Sequence, residues 1–121
     1  MKTIKILMLV MLAASFTTVS AQKKVDPVGT WTYTADQAPY EYSTGDIVVT
    51  KEAKELKVEI QLGEYYKIKG SSVTYEKNVL AFKVYIEGES VSIKVTLEEE
   101  KFEGTASYSD GTLPVVGVKK K

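Results

Sequence analysis

Alternation of apolar and charged residues is the feature of this chain that most restricts its fold. From 54 to 62 the order is Lys-Glu-Leu-Lys-Val-Glu-Ile-Gln-Leu, and the same period of two recurs over 80–86 and 91–97. Because successive side chains of a β-strand point to opposite faces, each segment has one face for a core and one for water. The pattern predicts an all-β, antiparallel fold.

Turn-forming residues divide the chain into eight predicted strands. We place them at Val28–Ala35, Gly45–Lys51, Lys54–Leu62, Tyr65–Glu76, Val79–Ile86, Ser90–Glu98, Lys101–Tyr108 and Thr112–Lys119. Short connections make neighbouring strands antiparallel, so the simplest topology is an up-and-down meander. With an even number of strands the last can pair with the first, which removes both sheet edges and predicts a closed barrel.

The fourth predicted strand contains a slip in its alternation. Tyr66 and Ile68 share one parity, while Val73 and Tyr75 share the other, and Gly70-Ser71-Ser72 lies between them. A slip of one residue turns half of a strand inside out unless the chain bulges. We predict one bent strand here, with two short strands as the alternative.

The first residues have the features of a signal peptide. A basic start precedes an apolar run over 6–14 and the small residues Val19-Ser20-Ala21. The run is shorter than the roughly 20 residues of a membrane helix. We expect cleavage of residues 1–21, which leaves 22–121 as one domain of a periplasmic or secreted protein without a membrane span. A retained anchor is the alternative.

Composition argues against several functions. The chain has no His and no Cys, so it lacks the common proton shuttle, the thiol nucleophile and the usual zinc ligands. Loss of Lys2 and Lys5 with the leader takes the 16 basic residues to 14 against 16 acidic ones, a net charge of −2. That balance argues against nucleic acid as a partner. No catalytic motif is present, and we expect a non-enzymatic protein without metal or cofactor.

Two short segments mark where the barrel would close. Gly29-Thr30-Trp31 opens the first predicted strand and Gly117-Val118-Lys119 ends the last. In an antiparallel closure Gly117 leaves room for the indole of Trp31, and Lys119 lies over the ring as a cation–π partner. The alternative is a simple core aromatic at Trp31 and a solvated Lys119.

With Gly29-x-Trp31 in its first strand, the meander and the closing basic residue, the chain resembles the lipocalin-like barrels, including small bacterial exported ones. The resemblance covers residues 22–121 in pattern, and Gly-x-Trp is its sharpest motif. It implies an eight-stranded barrel that holds a small hydrophobic molecule. The chain departs from the larger members in its short length, its lack of a disulfide, Lys119 in place of the usual Arg, and its lack of the typical C-terminal helix.

Aromatic residues near one end of the predicted barrel are the candidates for ligand binding. Strand parity and the long loop over 36–44 select six residues: Tyr33, Tyr40, Tyr42, Tyr66, Ile86 and Tyr108. The small inward residues Gly104, Ala106 and Gly117 either make space for a ligand or offset the bulky aromatics. A filled interior would make the protein a structural or interaction module, with a partner that the sequence does not identify.

The turns at this open end carry one sign of charge. Their acidic residues are Asp36, Glu41, Asp46, Glu64, Glu87, Glu89 and Asp110, and these turns contain no Lys. Burying a carboxylate is costly without a cationic partner. We therefore expect a ligand that is neutral or cationic.

Overall fold

The computed structural model describes residues 24–121, so the predicted signal peptide lies outside the described residues. The strands are β1 (Gly29–Thr34), β2 (Thr44–Glu52), β3 (Glu55–Leu62), β4 (Tyr66–Lys69), β5 (Ser71–Glu76), β6 (Val79–Ile86), β7 (Glu89–Glu98), β8 (Lys101–Tyr108) and β9 (Gly111–Lys119), with a short 3-10 helix at Tyr40–Tyr42. In this part of the chain no helix has the length and apolar character needed to cross a membrane.

The nine strands within residues 24–121 form one antiparallel sheet in the order β4-β3-β2-β1-β9-β8-β7-β6-β5. The first and last strands are neighbours: Trp31 pairs with Lys119, and Tyr33 pairs with Gly117. The remaining sheet edges, β4 and β5, are consecutive in the chain, so the sheet curls into a nearly closed barrel. The all-β antiparallel barrel predicted from the alternation is confirmed.

The prediction of eight strands, with one bent strand over 65–76, is wrong. The chain leaves β3 at Gly70, whose amide donates to the Val58 carbonyl oxygen at 2.8 Å, and then pairs with β6 instead. A Cβ at Gly70 would lie 3.1 Å from that oxygen, so the crossing is close. Two short strands with different partners, β4 and β5, replace the single strand because the slip in parity coincides with this exchange of neighbours.

Large side chains fill one end of the barrel, which we call the closed end. The largest fully buried side chains of the barrel are Trp31, Phe82, Leu80, Leu97, Val49, Val84 and Val95, and of these Trp31, Leu80 and Leu97 lie at the closed end. The rings of Trp31 and Phe102 meet edge to face, with 5.9 Å between their centroids. Offset or edge-to-face contacts are the favourable arrangement for aromatic pairs.

Gly117 has a different neighbour from the one predicted. A Cβ there would lie 2.3 Å from the ring of Phe102, so Gly117 leaves room for Phe102 rather than for the indole of Trp31. Phe102 in turn contacts Trp31. The Nζ of Lys119 lies 5.5 Å from the centroid of the Trp31 ring. Gly29 is close by, since a Cβ there would lie 2.8 Å from Lys119 Cε.

The residues before β1 cross the closed end and cover it. We call residues 24–28 the N-terminal strap. The Val25 amide donates to Asn78 Oδ1 at 3.0 Å, and Trp31 Nε1 donates to the Pro27 carbonyl oxygen at 3.0 Å. These bonds pair groups that would otherwise lose water on burial without compensation. The strap thereby seals this end of the interior.

Candidate functional site

The opposite, open end of the barrel contains a cavity of about 170 Å³. Its walls come from inward residues of several strands, and the segment over 35–43 and the β6–β7 turn lie at its mouth. A cavity of about 150 Å³ lined by apolar side chains can hold benzene, whereas pockets for drug-sized ligands begin at about 300 Å³. The space therefore suits a single ring or a short alkyl chain.

Small residues create this space. Ala35 and Ala106 line the cavity. At the closed end, the inward positions on the same stretches of chain hold the bulky side chains of Trp31 and Phe102. Gly104 does not contribute in the same way. A Cβ on Gly104 would lie 1.9 Å from the Lys94 carbonyl oxygen, so this glycine allows β7 and β8 to approach each other. Of the three small inward residues predicted from the sequence, Ala106 is the one that makes room in the cavity.

Four of the six predicted ligand-binding residues meet at the cavity. They are Tyr33, Tyr42, Ile86 and Tyr108. Their source elements are far apart in the chain, and the β1–β9 pairing with its neighbours brings them to one end. The site thus combines apolar walls with tyrosine hydroxyls, an arrangement that can orient a small molecule without forming a covalent bond to it.

Tyr40 and Tyr66 lie outside the cavity. Tyr40 is 95% exposed in the short helix, and Tyr66 is 51% exposed at the start of β4. Tyr66 has the same parity as the buried Ile68, but as the first residue of β4 it lies beyond the cavity walls. Parity gives the face of a residue but not its height along the barrel, and this is why a residue selected by parity, Tyr66, lies outside the cavity.

The sequence-based selection missed several apolar lining residues. These are Ala35, Ile47, Ile60, Ile93 and Val115. The sequence could have identified Ala35, because it lies two residues after Tyr33 and its side chain therefore points to the same face of the strand. For the residues of other strands, height depends on cross-strand register, such as the pairing of Ile47 with Ile60. A single strand's pattern does not contain that register.

Backbone hydrogen bonds hold the segment over 35–43 at the mouth. The Ala35 amide donates to the Ser43 carbonyl oxygen at 2.7 Å, and the Ala38 amide donates to the Ala35 carbonyl oxygen at 3.0 Å. The Tyr33 hydroxyl donates to the Tyr42 carbonyl oxygen at 2.9 Å. Burial raises the pKa of Tyr33 to about 12, so this donor keeps its proton at neutral pH. One rim of the cavity is therefore an ordered loop.

The charged residues that line the cavity are Glu87, in the β6–β7 turn, and Glu89, the first residue of β7. Oε1 of Glu89 accepts hydrogen bonds from the Ser109 amide, at 3.0 Å, and from the Ser109 hydroxyl. Partial burial and the Glu87 carboxylate, with smaller effects of other nearby groups, raise the pKa of Tyr42. Glu87 and Tyr42 thus interact electrostatically across the mouth.

The set of acidic residues predicted at the open end needs one correction. Lys120 of the C-terminal tail reaches Asp46, with 3.2 Å between Nζ and Oδ2. Asp46 Oδ1 also accepts from the Thr32 hydroxyl at 3.0 Å, so this carboxylate lies against the outside of the wall. Asp46 therefore does not belong to the cavity mouth. Among residues 24–121, no three acidic side chains come together in a group that could hold a metal ion.

Comparison with known proteins supports the fold. The sequence matches no protein-family model and no curated protein. A redesigned β-barrel superposes with a TM-score of 0.52 at 17% identity, covering 78% of this chain and 90% of that chain. A mutant of the fluorescent protein UnaG superposes with a TM-score of 0.50 at 15% identity, covering 78% of this chain and 96% of that chain. At such low identity these similarities establish the barrel alone.

Proposed function

We propose that this chain is an exported, non-enzymatic, lipocalin-like barrel that binds a small apolar molecule, neutral or cationic, in the open-end cavity. The observation that carries the proposal is the half-open apolar cavity in a barrel whose other end is packed solid. A concave apolar site with a few polar groups is the usual form of a small-molecule site. Lys119 over Trp31, next to Gly29, supports the lipocalin-like assignment.

The alternative, an interaction module with a filled interior, has less support. Packing in protein interiors leaves few voids larger than a water molecule, and this cavity is far larger than one. A purely structural barrel would gain stability by filling that space. The open end instead has alanine at positions 35 and 106, as expected for a site that must leave space for a ligand.

A cavity-filling variant tests the proposal. Ala106→Phe places a ring in the cavity, and the matched control Ala81→Phe adds the same ring on β6, on the side away from the core face that carries Leu80 and Phe82. In wild type and in Ala81→Phe, we expect added benzyl alcohol to shift the backbone amide NMR signals of Ala35 and of the residues next to position 106. In Ala106→Phe, benzyl alcohol should no longer shift these signals. Retained binding in a folded Ala106→Phe variant would overturn the site.

Two mass measurements address the natural ligand and export. Native mass spectrometry of protein purified from its own host would reveal a carried molecule as added mass. The intact mass of the exported protein should match residues 22–121, because cleavage after Ala21 is expected. A mature protein that retains residues 1–21 would contradict the export part of the proposal.

A further inference from the structure

We propose that the open-end cavity selects organic amines, with the apolar body of the ligand inside the cavity and its ammonium group beside Glu87 and Glu89 at the mouth. The inference rests on the proposed function and narrows it to one ligand class. The cavity, not the carboxylate pair, is the binding site, and the two glutamates determine which charge it accepts.

The first step concerns the sign of charge around the cavity. The only ionic side chains in its lining are Glu87 and Glu89, and no lysine lines it among the described residues. A charged group that enters an apolar space loses hydration and needs an opposite charge nearby. An ammonium finds that partner here, while a carboxylate would meet two like charges.

The second step concerns where the two glutamates stand. Ile86 pairs with Glu89, so Glu87 and Gly88 form the turn between β6 and β7. Both turn residues have positive φ, 53° and 81°, which defines a tight two-residue hairpin. Ile86 lines the cavity directly below this turn. A ligand whose body contacts Ile86 would therefore place a terminal charge at the level of the two carboxylates.

The third step concerns preorganisation. The Ser109 amide and hydroxyl both donate to the same oxygen of Glu89, so the β8–β9 turn holds this carboxylate before a ligand arrives. Glu87 lines the same cavity as Tyr42, whose hydroxyl is a second polar group at the mouth. Fixed acceptors lose less conformational entropy on binding than mobile ones.

The volume limits the size of the amine. About 170 Å³ accommodates one aromatic ring or a short alkyl chain, with the ammonium left at the mouth. Arylalkylamines with a single ring and a two-carbon linker meet both requirements. Longer polyamines place a second charge inside the apolar space and should bind more weakly.

Three probes with the same ring and different charge test the inference. Phenethylamine, 2-phenylethanol and 3-phenylpropionate are titrated into wild type at neutral pH and low salt. We expect the amine to bind about tenfold more tightly than the alcohol, in keeping with a charge-assisted contact, and the carboxylate to bind most weakly. High salt should reduce the preference for the amine.

Variants locate the source of the preference. In the double variant Glu87→Gln/Glu89→Gln the amine and the alcohol should bind alike, whereas the control Glu103→Gln, on the exposed side of β8, should keep the preference. Thermal melting checks that each variant is folded. If the double variant keeps the full preference, the assignment to these two glutamates is wrong.

The results separate the two proposals. Equal binding of amine and alcohol by wild type would overturn the amine inference and leave the ligand-binding proposal standing. Failure of all three probes to bind would contradict the proposed site itself, because the uncharged alcohol needs only the apolar cavity.

Discussion

The two ends of the barrel are built from the same strands but are filled differently. Along β1 and the residue after it, the inward side chains pass from Trp31 through Tyr33 to Ala35, and along β8 they pass from Phe102 through Gly104 to Ala106. In both, a bulky aromatic lies at the closed end, and an alanine that lines the cavity, Ala35 or Ala106, lies towards the open end. Side-chain size at alternate positions therefore decides where a regular barrel is solid and where it holds a cavity.

The largest expected effect is at the closed end. Trp31→Ala removes a fully buried ring that contacts Phe102 and donates to Pro27, and it should lower the free energy of unfolding by about 3–5 kcal/mol. Total stability for such a domain is about 5–15 kcal/mol, so the variant is close to unfolding. Urea denaturation measures the change. A melting temperature within about two degrees of wild type would show that Trp31 does not contribute to the packing of the core.

A matched pair of leucines compares the two ends directly. Leu97 is buried in the closed end, and Leu113 lines the cavity. Leu→Ala substitutions in cores cost about 2–5 kcal/mol, with the cost rising with the space left behind. Within that range we expect Leu97→Ala to cost more than Leu113→Ala, but less than Trp31→Ala, because Leu113 already borders empty space. Equal losses in denaturant titrations would mean that the two ends are packed alike.

Alkaline pH should weaken the structure through Tyr33, which lies between the two ends. Burial raises its pKa from the ordinary 10.0 to about 12, so the folded state binds its proton more tightly than the unfolded state. Its contribution is fully present below pH 10 and is lost as pH rises towards 12, a loss of about 2 kcal/mol.

Two tyrosine variants assign that pH dependence. Tyr33→Phe should flatten the fall of stability between pH 10 and 12, measured by urea denaturation across the range. Burial also raises the pKa of Tyr75 near the N-terminal strap. If the free energy of unfolding falls more steeply with pH in Tyr33→Phe than in Tyr75→Phe, then Tyr75 at the closed end, and not Tyr33, controls alkaline unfolding.

The smallest expected effect concerns the contact of Lys119 with Trp31. Lys119→Met keeps most of the side chain's length but removes the charge, so it should cost about 0.5–1 kcal/mol. The control Lys121→Met removes an exposed lysine whose partner is Glu100 at 3.7 Å, and such pairs contribute little. Chemical denaturation distinguishes the two. Equal changes in the free energy of unfolding of the two variants would show that the cation–π contact does not stabilise the fold.

Local pattern was enough to predict the all-β class, the antiparallel sheet and the barrel, but not the division of residues 65–76 into two strands. Alternation records which face of a strand is buried, and Leu80, Phe82 and Val84 are all buried as their parity requires. The exchange of partners at Gly70 was beyond that pattern, because it depends on the Val58 carbonyl of a different strand. Two short strands were therefore only an alternative at the sequence level.

The site was predictable where strand parity was sufficient. Tyr33, Ile86 and Tyr108 line the cavity as their strands require, whereas Tyr66 lies outside it and Tyr40 is exposed in the short 3-10 helix. Loop conformation depends on backbone contacts such as that of Ala35 with Ser43, which no periodicity encodes. The cavity volume depends on packing across all the strands.

Pairing of β1 with β9 has a consequence for the order of folding. The strands of each hairpin are close in sequence, but Trp31 and Lys119 lie near opposite ends of the described chain. Loop-closure entropy makes such distant contacts slow to form, so local hairpins should assemble first and the closing pair last. Until β9 arrives, β1 lacks its partner on one side and leaves backbone donors and acceptors unpaired. The last strand therefore determines how long the unfinished barrel stays vulnerable to aggregation.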